Sequence, residues 1–473
     1  ECSRMADRFE PGESPLFWSA SKLISAYQSG ELSPTEVAEE AINRIELFNR
    51  KLNAYITPLN DLARKQAHIA EQAYKRGDAA QLSGVPISIK DTFAVAGTRT
   101  TYGSYFYRDN VAASDSGLIS RLRASGAVFT GKSNTAEFGQ SATTDNRLGP
   151  DTGNPWDTSR TPGGSSGGAA SSVAAGLATI GLGADGGGSI RIPAAFTGLF
   201  GFKPTHGLCA DENGARAMTE FVCPGPLARS VDDARRFMEV IADKKLGRRT
   251  VRSGLKIAWC ANLENRPVSP AVAEVVQKAA GKLIELCHEV IAAEPPIGDW
   301  KSIFGPLVQA VERDERADLL QRGAEHLTDY ERETLEAAQS LTAEDVDRAR
   351  EGLQAIRHRM DTFFDECDAI VLPTTATTAF KLGQRPLTVD GRRVSEMWGA
   401  FPFTPQFNVA GTPGASLPCG LVEGLPVGIQ IIAKRNADHF LLDLCADMEE
   451  ALAFDATIMQ QVWSMASCQS AVS

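Results

Sequence analysis

The N-terminal part of the chain has the spacing of apolar residues that is typical of amphipathic helices. Within residues 17–77, the segment SPTEVAEEAINRIELFNRKLNAYI carries apolar residues four or seven positions apart from Val37 to Leu52. Ser33 and Glu36 have the spacing of a capping box, in which each residue satisfies a backbone N–H at the start of a helix. These features predict a helical N-terminal segment that packs against the rest of the protein.

Between residues 82 and 240 the pattern changes to short apolar runs, separated by segments rich in glycine and other small residues. Runs such as VPISI, AVFTG and ATIGLGA have the length of buried strands and are too short for helices. Strands that alternate with small-residue helices predict βαβ units around a sheet that is covered on both faces.

The second half of the chain is first charge-rich and helical, and then returns to strands. In LTAEDVDRAREGLQAIRHRMDTFF, apolar residues repeat every three or four positions from Val346 to Phe363, which predicts a helix lying against the sheet. DAIVLPT (368–374) and LPVGIQIIA (425–433) predict further strands.

Because these patterns interleave along the chain, we predict a single domain over residues 1–473. Its fold class is α/β, with a large mixed, mostly parallel twisted sheet covered by helices on both faces. The predicted parts are an N-terminal helical segment (17–77), a core (82–240), a helical insertion (250–365) and a return to the sheet (366–473).

Composition and charge exclude several classes of protein. The chain has 473 residues, of which 43% are hydrophobic, and a formal net charge of −11, which argues against binding to nucleic acid or to an anionic membrane. The first thirty residues contain charges and Pro11 where a signal peptide would need an apolar core. The nine cysteines, including Cys2 and Cys468, are scattered, with no C-x-x-C pair, so we interpret them as reduced thiols and expect no metal site. A cytoplasmic enzyme is predicted.

The segment GAVFTGKS (Gly126–Ser133) fits the phosphate-loop pattern G-x-x-x-x-G-K-[ST]. A phosphate loop must leave a strand and begin a helix, because the phosphate binds at the helix N-terminus. Here the helical spacing comes before Gly126 and an apolar strand follows it, which is the reverse order. Nucleotide binding through this segment is therefore only a remote alternative.

Serine and glycine concentrate in two clusters, TPGGSSGGAASSVAAGL (161–177) and GADGGGSIRIP (183–193). Runs of glycine and serine are commonly flexible loops, but each of these adjoins a predicted helix or strand. Three glycines immediately before Ser189 place several backbone N–H groups beside one hydroxyl, as an oxyanion hole requires.

A serine nucleophile at neutral pH needs a base. None of the six histidines stands beside an acidic partner in a recognisable motif, and G-x-S-x-G is absent around Ser189, so a Ser-His-Asp hydrolase is not expected. Lys90, at the end of the apolar strand VPISIK, is a candidate because burial lowers the pKa of an amine. An ion pair between Lys90 and the adjacent Asp91 is an equally open interpretation.

Several motifs resemble those of the amidase signature family of serine hydrolases, namely GVPISIKD, GGSSGG and GADGGGSIRIPAAFTGLFGFKPT. Matches to GKSNTAEFG, FNVAGTPGASLPCG and LPVGIQIIA extend the resemblance over nearly the whole chain. The resemblance implies a catalytic triad in which Ser189 is the nucleophile, Ser165 the bridging serine after a cis peptide, and Lys90 the general base.

The same resemblance implies roles for further residues around this triad. The oxyanion hole would be formed by the N–H groups of Gly186, Gly187, Gly188 and Ser189; the supporting residues would be Asp185, Arg191 and Ser166; and the substrate-binding residues would be Gly139, Gln140 and Tyr102.

The implied activity is hydrolysis of a carboxylic amide, with aryl amides, esters and carbamates as further substrates, by a monomer or homodimer that needs no metal or cofactor. The substrate would be a small-molecule amide or carbamate. One branch of the family is the glutaminase-type subunit of a tRNA-dependent amidotransferase. That branch commonly has glutamine in SIRQP where this chain has Ile192, which makes it the alternative.

Overall fold

A large mixed sheet runs through the protein. The computed structural model describes residues 14–212 and 214–464, so the predictions for Cys2, Pro11 and Cys468 lie outside the described residues. The strands are β1 (Tyr55–Pro58), β2 (Pro86–Lys90), β3 (Val128–Ser133), β4 (Ile180–Asp185), β5 (Phe200–Lys203), β6 (Cys223–Ala228), β7 (Lys256–Trp259), β8 (Glu289–Ala292), β9 (Ala369–Pro373), β10 (Thr388–Val389), β11 (Arg392–Arg393), β12 (Gly414–Val422) and β13 (Leu425–Ala433).

Helices flank this sheet. They are α1 (Ala20–Ser29), α2 (Pro34–Leu52), α3 (Asn60–Arg76), α4 (Gly117–Ala124), α5 (Gly167–Ala174), α6 (Arg191–Thr197), α7 (Val231–Ile241), α8 (Pro270–Ala280), α9 (Lys282–Glu285), α10 (Lys301–Arg316), α11 (Leu319–Gly323), α12 (Asp329–Ala338), α13 (Ala343–Phe363), α14 (Pro405–Val409), α15 (Asp438–Leu452) and α16 (Thr457–Val462). Short 3-10 turns occur at Pro15–Phe17, Tyr105–Tyr107, Glu137–Gly139, Leu263–Asn265 and Ala324–His326.

The predicted α/β fold with a mixed sheet is confirmed, but the prediction that most strands are parallel is wrong. Eleven strands follow the order β1-β3-β2-β4-β6-β5-β12-β13-β9-β7-β8. Among the described residues, four neighbouring pairs in this sheet are parallel and six are antiparallel. One cause is the two-residue connection between β12 and β13, which is long enough only for a hairpin. Apolar runs reveal a strand but not its direction.

The N-terminal segment forms its predicted helix and adds a strand that the pattern did not reveal. Helix α2 begins with the predicted capping box, in which Glu36 N–H donates to Ser33 Oγ and Ser33 N–H donates to Glu36 Oε2. After Asn53, in the left-handed conformation, β1 joins the edge of the sheet beside β3. The segment 17–77 is therefore helical except for this strand.

The segment 250–365 is mainly helical but also supplies strands β7 and β8 to the far edge of the sheet. The predicted apolar stripe forms α13, in which Val346 and Met360 are buried. This helix packs chiefly against α10 instead of against the sheet, because α10 presents its own apolar face to it. The division into one domain with an insertion stays a prediction.

The segment that resembles a phosphate loop is a buried strand. Helix α4 ends before Gly126, whose φ of +81° turns the chain into β3, and all six residues of β3 are buried. Lys132 Nζ lies 2.7 Å from Asp91 Oδ1 and 2.8 Å from Thr100 Oγ1, with no exposed surface. The nucleotide-binding alternative is wrong for this segment, because the order of elements is reversed and its lysine is used inside the protein.

Candidate active site

The site is formed where two parallel strands end beside the start of a helix. Strands β2 and β4 are parallel neighbours, so Lys90 and Asp185, their last residues, reach the same edge of the sheet. Helix α5 begins directly after Ser165 and Ser166. Lys90 Nζ lies 2.7 Å from Ser165 Oγ, 2.9 Å from Ser166 Oγ and 3.2 Å from the carbonyl oxygen of Ala184. The fold thus brings together three of the residues singled out in the sequence.

The structure decides between the two interpretations of Lys90. The carboxylate of Asp91 pairs with Lys132 on the neighbouring strand, so it is not the partner of Lys90. The Lys90 side chain is only 1% exposed. Burial lowers the pKa of Lys90 from 10.5 to about 7, although the Asp185 carboxylate works in the opposite direction. A large fraction of the amine is therefore neutral at neutral pH and able to accept a proton.

Ser165 and Ser189 line the same cavity, and both are nearly buried. The peptide bond between Gly164 and Ser165 is cis, as the family resemblance implies. A side chain at position 164 would meet the backbone of Thr143, since a Cβ there would lie 2.3 Å from its carbonyl oxygen. Glycine is therefore required at this position, which places the Ser165 hydroxyl between Lys90 and the cavity.

The loop from Gly186 to Ser189 offers backbone donors beside the Ser189 hydroxyl, but not all of those predicted. The N–H of Gly188 donates to Asp185 Oδ1 over 2.8 Å, so the prediction of Gly188 as an oxyanion-hole donor is wrong. By contrast, the N–H groups of Gly186, Gly187 and Ser189 donate to no other group within residues 14–212 and 214–464. Three N–H groups thus remain for a negatively charged oxygen.

Asp185 and Arg191 form a fully buried ion pair behind this loop. Arg191 Nη2 and Nε lie 2.8 and 2.9 Å from the two oxygens of the Asp185 carboxylate. Burial alone would raise the pKa of Asp185, but the Arg191 guanidinium outweighs it and holds that pKa well below its ordinary value. The charged carboxylate accepts the Gly188 N–H, and this bond fixes the loop.

Three residues that the sequence did not single out complete the hydrogen bonding of Arg191. Its Nη2 lies 2.6 Å from Asn408 Oδ1, and its Nη1 lies 2.7 Å from Gln430 Oε1 and 3.2 Å from the carbonyl oxygen of Thr404. Asn408 and Gln430 are polar residues within buried apolar segments, FNVAG and VGIQII. That contrast was the available signal, because a buried polar side chain must have a partner.

We expect replacement of Arg191 by methionine to destabilise the fold strongly. The substitution removes the guanidinium and leaves the Asp185 carboxylate buried without a charged partner, which typically costs about 3 to 5 kcal/mol. Urea unfolding followed by circular dichroism measures the change in free energy of unfolding.

The control is Arg248→Met, since Arg248 also pairs with two carboxylates, Asp447 and Glu450, but at the protein surface. Loss of exposed pairs costs at most about 1 kcal/mol. Equal destabilisation by the two substitutions would contradict the special role given to the buried pair.

A cavity of about 400 Å³ contains Lys90, Ser165 and Ser189. Four aromatic residues lie along it: Phe93, Tyr102, Tyr107 and Phe138. Residues 214–219, including Met218, also line it. The predicted substrate-binding residues Tyr102 and Gly139 are part of this lining.

A second cavity of about 170 Å³ lies on the other side of Ser189. It is lined by Gly187 and by apolar side chains that include Phe304, Val308 and Trp398. The predicted residues Gly139 and Gln140 contribute to it as well, and Gln140 Nε2 is anchored 2.6 Å from Glu312 Oε1. All three predicted substrate-binding residues therefore lie at cavity walls.

The aromatic cluster late in the chain divides between the cavity and the core. Trp398 lines the smaller cavity, whereas Phe401, Phe403 and Phe407 are fully buried in the core. Sequence reasoning missed Phe138 and the 214–217 segment (GARA), which carry no periodic or motif signal. In the described part of the chain, no group of three or more His, Cys, Asp or Glu side chains is placed to hold a metal ion.

Comparisons with known proteins agree with this geometry. The family model described as Amidase matches residues 36–442. The acylamidase of Rhodococcus erythropolis is 34% identical over 465 residues, which cover 92% of this chain and 96% of that protein. A component of the glutamyl-tRNA(Gln) amidotransferase of Symbiobacterium thermophilum, its A-type subunit, is 33% identical over 468 residues, which cover 90% of this chain and 95% of that protein. The crystal structure of a bacterial aryl acylamidase superposes with a TM-score of 0.87 at 28% identity, covering 96% of this chain and 99% of that one.

The fold, the motifs and these relatives define a hydrolase that acts on amide C–N bonds. The chain belongs to the amidase signature family. None of the helices in the described ranges is long and apolar enough to span a membrane.

Proposed function

We propose that this amidase works through an acyl-enzyme on Ser189, with Ser165 and Lys90 as its proton relay. The observation that carries the proposal is the 2.7 Å approach of Lys90 Nζ to Ser165 Oγ, in a cavity that also contains Ser189. A buried amine with a pKa of about 7 is a suitable base at neutral pH.

In the first half of the reaction, neutral Lys90 takes the proton of Ser165, and Ser165 takes the proton of Ser189 as Ser189 Oγ attacks the amide carbon. The carbonyl oxygen becomes an oxyanion, which the N–H groups of Gly186, Gly187 and Ser189 stabilise. Collapse of this intermediate breaks the C–N bond, and Ser165 delivers a proton to the departing nitrogen.

In the second half, water enters beside Ser165 and loses a proton to the same relay as it attacks the acyl carbon. A second oxyanion forms against the same N–H groups, the Ser189 C–O bond breaks, and Ser189 Oγ recovers its proton. The products are a carboxylic acid and an amine, so atoms and charges balance without a cofactor in any step.

Ser165 is the bridging serine in this proposal and Ser166 supports it. Both hydroxyls contact Lys90, but Ser165 lines the cavity, whereas Ser166 Oγ is turned to Ala184, 3.2 Å from its carbonyl oxygen and 3.2 Å from its N–H. Only Ser165 therefore stands between the base and a bound substrate.

We expect Ser165→Ala to lower kcat by about 10³-fold, the usual scale for loss of a proton-transfer group. The matched variant Ser166→Ala removes a neighbouring hydroxyl that also contacts Lys90, and we expect it to cost about tenfold. Steady-state hydrolysis of an anilide measures both variants. A larger loss from Ser166→Ala would transfer the bridging role to Ser166.

The proposed substrates are small-molecule amides, with esters and carbamates as further acyl donors, since all three present a carbonyl to the same nucleophile. A cytoplasmic location and a monomeric or homodimeric state are proposed along with them. The scattered cysteines support that location, because the seven in the described residues are free thiols.

The second candidate function is that of the glutaminase-type subunit in a tRNA-dependent amidotransferase, which the Symbiobacterium thermophilum relative favours. Ile192, which replaces the glutamine common in that branch, lines the smaller cavity and makes it more apolar. Rapid anilide hydrolysis by the chain alone supports the amidase, whereas activity that requires partner subunits would support the alternative.

A further inference from the structure

Two cavities meet at Ser189, and they differ in size and lining. Gly139, Ser189 and Met218 line both, so the reacting carbonyl would stand at their junction. A tetrahedral centre on Ser189 Oγ carries an oxyanion and two further substituents, the acyl chain and the departing amine. With the oxyanion held by the N–H groups, each cavity is left to receive one of these substituents.

The position of the relay identifies which cavity receives the amine. Lys90 and Ser165 line the larger cavity and are not among the residues of the smaller one. The departing nitrogen must take a proton from Ser165 as its bond to carbon breaks, because an unprotonated amine anion leaves poorly. A proton donor must be within hydrogen-bond reach of its acceptor, so the nitrogen faces the larger cavity.

The same placement serves the second half-reaction. Once the amine has left the larger cavity, water can occupy the space beside Ser165 and lose its proton there. The acyl group stays in the smaller cavity, attached to Ser189, and does not block this approach. An acyl group placed in the larger cavity would instead lie between water and the relay.

The linings indicate the chemistry of each half of the substrate. Along the larger cavity, Phe93, Tyr102, Tyr107 and Phe138 offer ring faces and edges that suit a planar aromatic amine. At about 400 Å³ it has room for a substituted aryl ring. Of the charged residues at its wall, Arg316 pairs with Glu312 and Arg216 with Glu315, so neither demands a charged substrate.

The smaller cavity has no charged side chain among its described lining residues. Its apolar wall includes Ile192, Phe304, Val308 and Trp398. A cavity of about 150 Å³ holds a benzene molecule, so about 170 Å³ accepts an acyl group up to the size of a benzoyl ring. A zwitterionic acyl group such as that of glutamine would be buried here without charged partners.

We propose that this enzyme hydrolyses N-aryl amides of small uncharged carboxylic acids, with the aryl amine in the larger cavity and the acyl group in the smaller one. This assignment rests on the proposed function, because it uses Ser165 as the proton donor. In the reaction, the amide C–N bond and one O–H bond of water break, and the acid C–O bond and one amine N–H bond form.

Two matched substitutions test the assignment. Val308 lines only the smaller cavity and Val222 only the larger one, so Val308→Phe and Val222→Phe fill one cavity each with the same side chain. The acyl series is acetyl, butyryl and benzoyl amides of 4-nitroaniline. The amine series is the acetyl amides of aniline, 4-nitroaniline and 2-naphthylamine. Variant-to-wild-type ratios of kcat/KM remove differences in intrinsic reactivity.

We expect Val308→Phe to lower kcat/KM for the benzoyl amide at least tenfold more than for the acetyl amide, with no comparable discrimination among amines. Val222→Phe is expected to penalise 2-naphthylamine over aniline by a similar factor and to leave the acyl ranking as it is. The reverse pattern, or equal effects of both variants on both series, would overturn the assignment.

Two further readouts keep the result interpretable. If either phenylalanine variant fails to fold, Val308→Ala and Val222→Ala enlarge the same cavities and must relax the corresponding size limit. Labelling of Ser189 by a fluorophosphonate separates the two proposals. Labelled Ser189 with a reversed size pattern overturns the cavity assignment alone, whereas activity that survives Ser189→Ala overturns the proposed function.

Discussion

Replacement of Ser189 by alanine is expected to lower kcat for anilide hydrolysis by about 10⁵- to 10⁶-fold. The substitution removes the atom that forms the acyl-enzyme, and loss of a nucleophile from a hydrolytic triad has effects of this size. Residual catalysis would come from binding and from the N–H groups of the loop. The measurement is hydrolysis at high enzyme concentration, with intact mass after fluorophosphonate treatment as a second readout.

The wild-type protein should gain one adduct, mapped to Ser189, and the variant none. Ser340→Ala is the control, since this exposed serine lies far along the chain from the site and donates only to a helix carbonyl. An adduct on another serine, or activity within about tenfold of wild type, would remove Ser189 from the role of nucleophile.

Replacement of Lys90 by methionine is expected to lower kcat/KM by about 10⁴-fold. Methionine keeps an unbranched apolar side chain in a fully buried position, so the loss reports the missing base and not a cavity. Fluorophosphonate labelling of Ser189 should slow in parallel, because the same relay activates the serine. Unchanged labelling would mean that Lys90 has no part in that activation.

The pH profile gives Lys90 a signature that a purely structural residue would lack. Its active form is the neutral amine, so kcat/KM should rise tenfold per pH unit below a pKa of about 7 and level off above it. Lys90→Met should remove this rise. Lys132→Met is the matched control, because Lys132 is also buried but pairs with Asp91. That variant should lose stability and still show the rise near pH 7.

The sequence was sufficient to predict residue types at the site but not the direction of their backbone groups. Three consecutive glycines indicate an oxyanion hole, yet the N–H of Gly188 turns away to Asp185. Which N–H is used depends on φ and ψ, which glycine leaves open. Lys90 shows the converse case, since its burial was predictable from the apolar strand. Its freedom from Asp91 was not, because that depends on Lys132 of another strand.

Long-range pairing explains most of the remaining differences between sequence and structure. The antiparallel majority of the sheet depends on which strands meet, and local apolar patterns carry no information about that. The division of the active-site space into two cavities depends on α10, the 139–142 loop and Trp398, which are far apart in the chain. The motifs predicted the relay because its members stand at the ends of strongly patterned elements, Lys90 on β2 and Ser165 before α5.

The Arg191 contacts have a consequence for how the enzyme is made. Every residue of the proposed relay has left the ribosome once about half of the chain is synthesised, but Asn408 and Gln430 have not. Until they arrive, the Arg191 guanidinium lacks two of its acceptors, and the Asp185 loop lacks its final frame. Hydrolytic competence is therefore postponed to the last stage of translation, and a prematurely terminated product is inert.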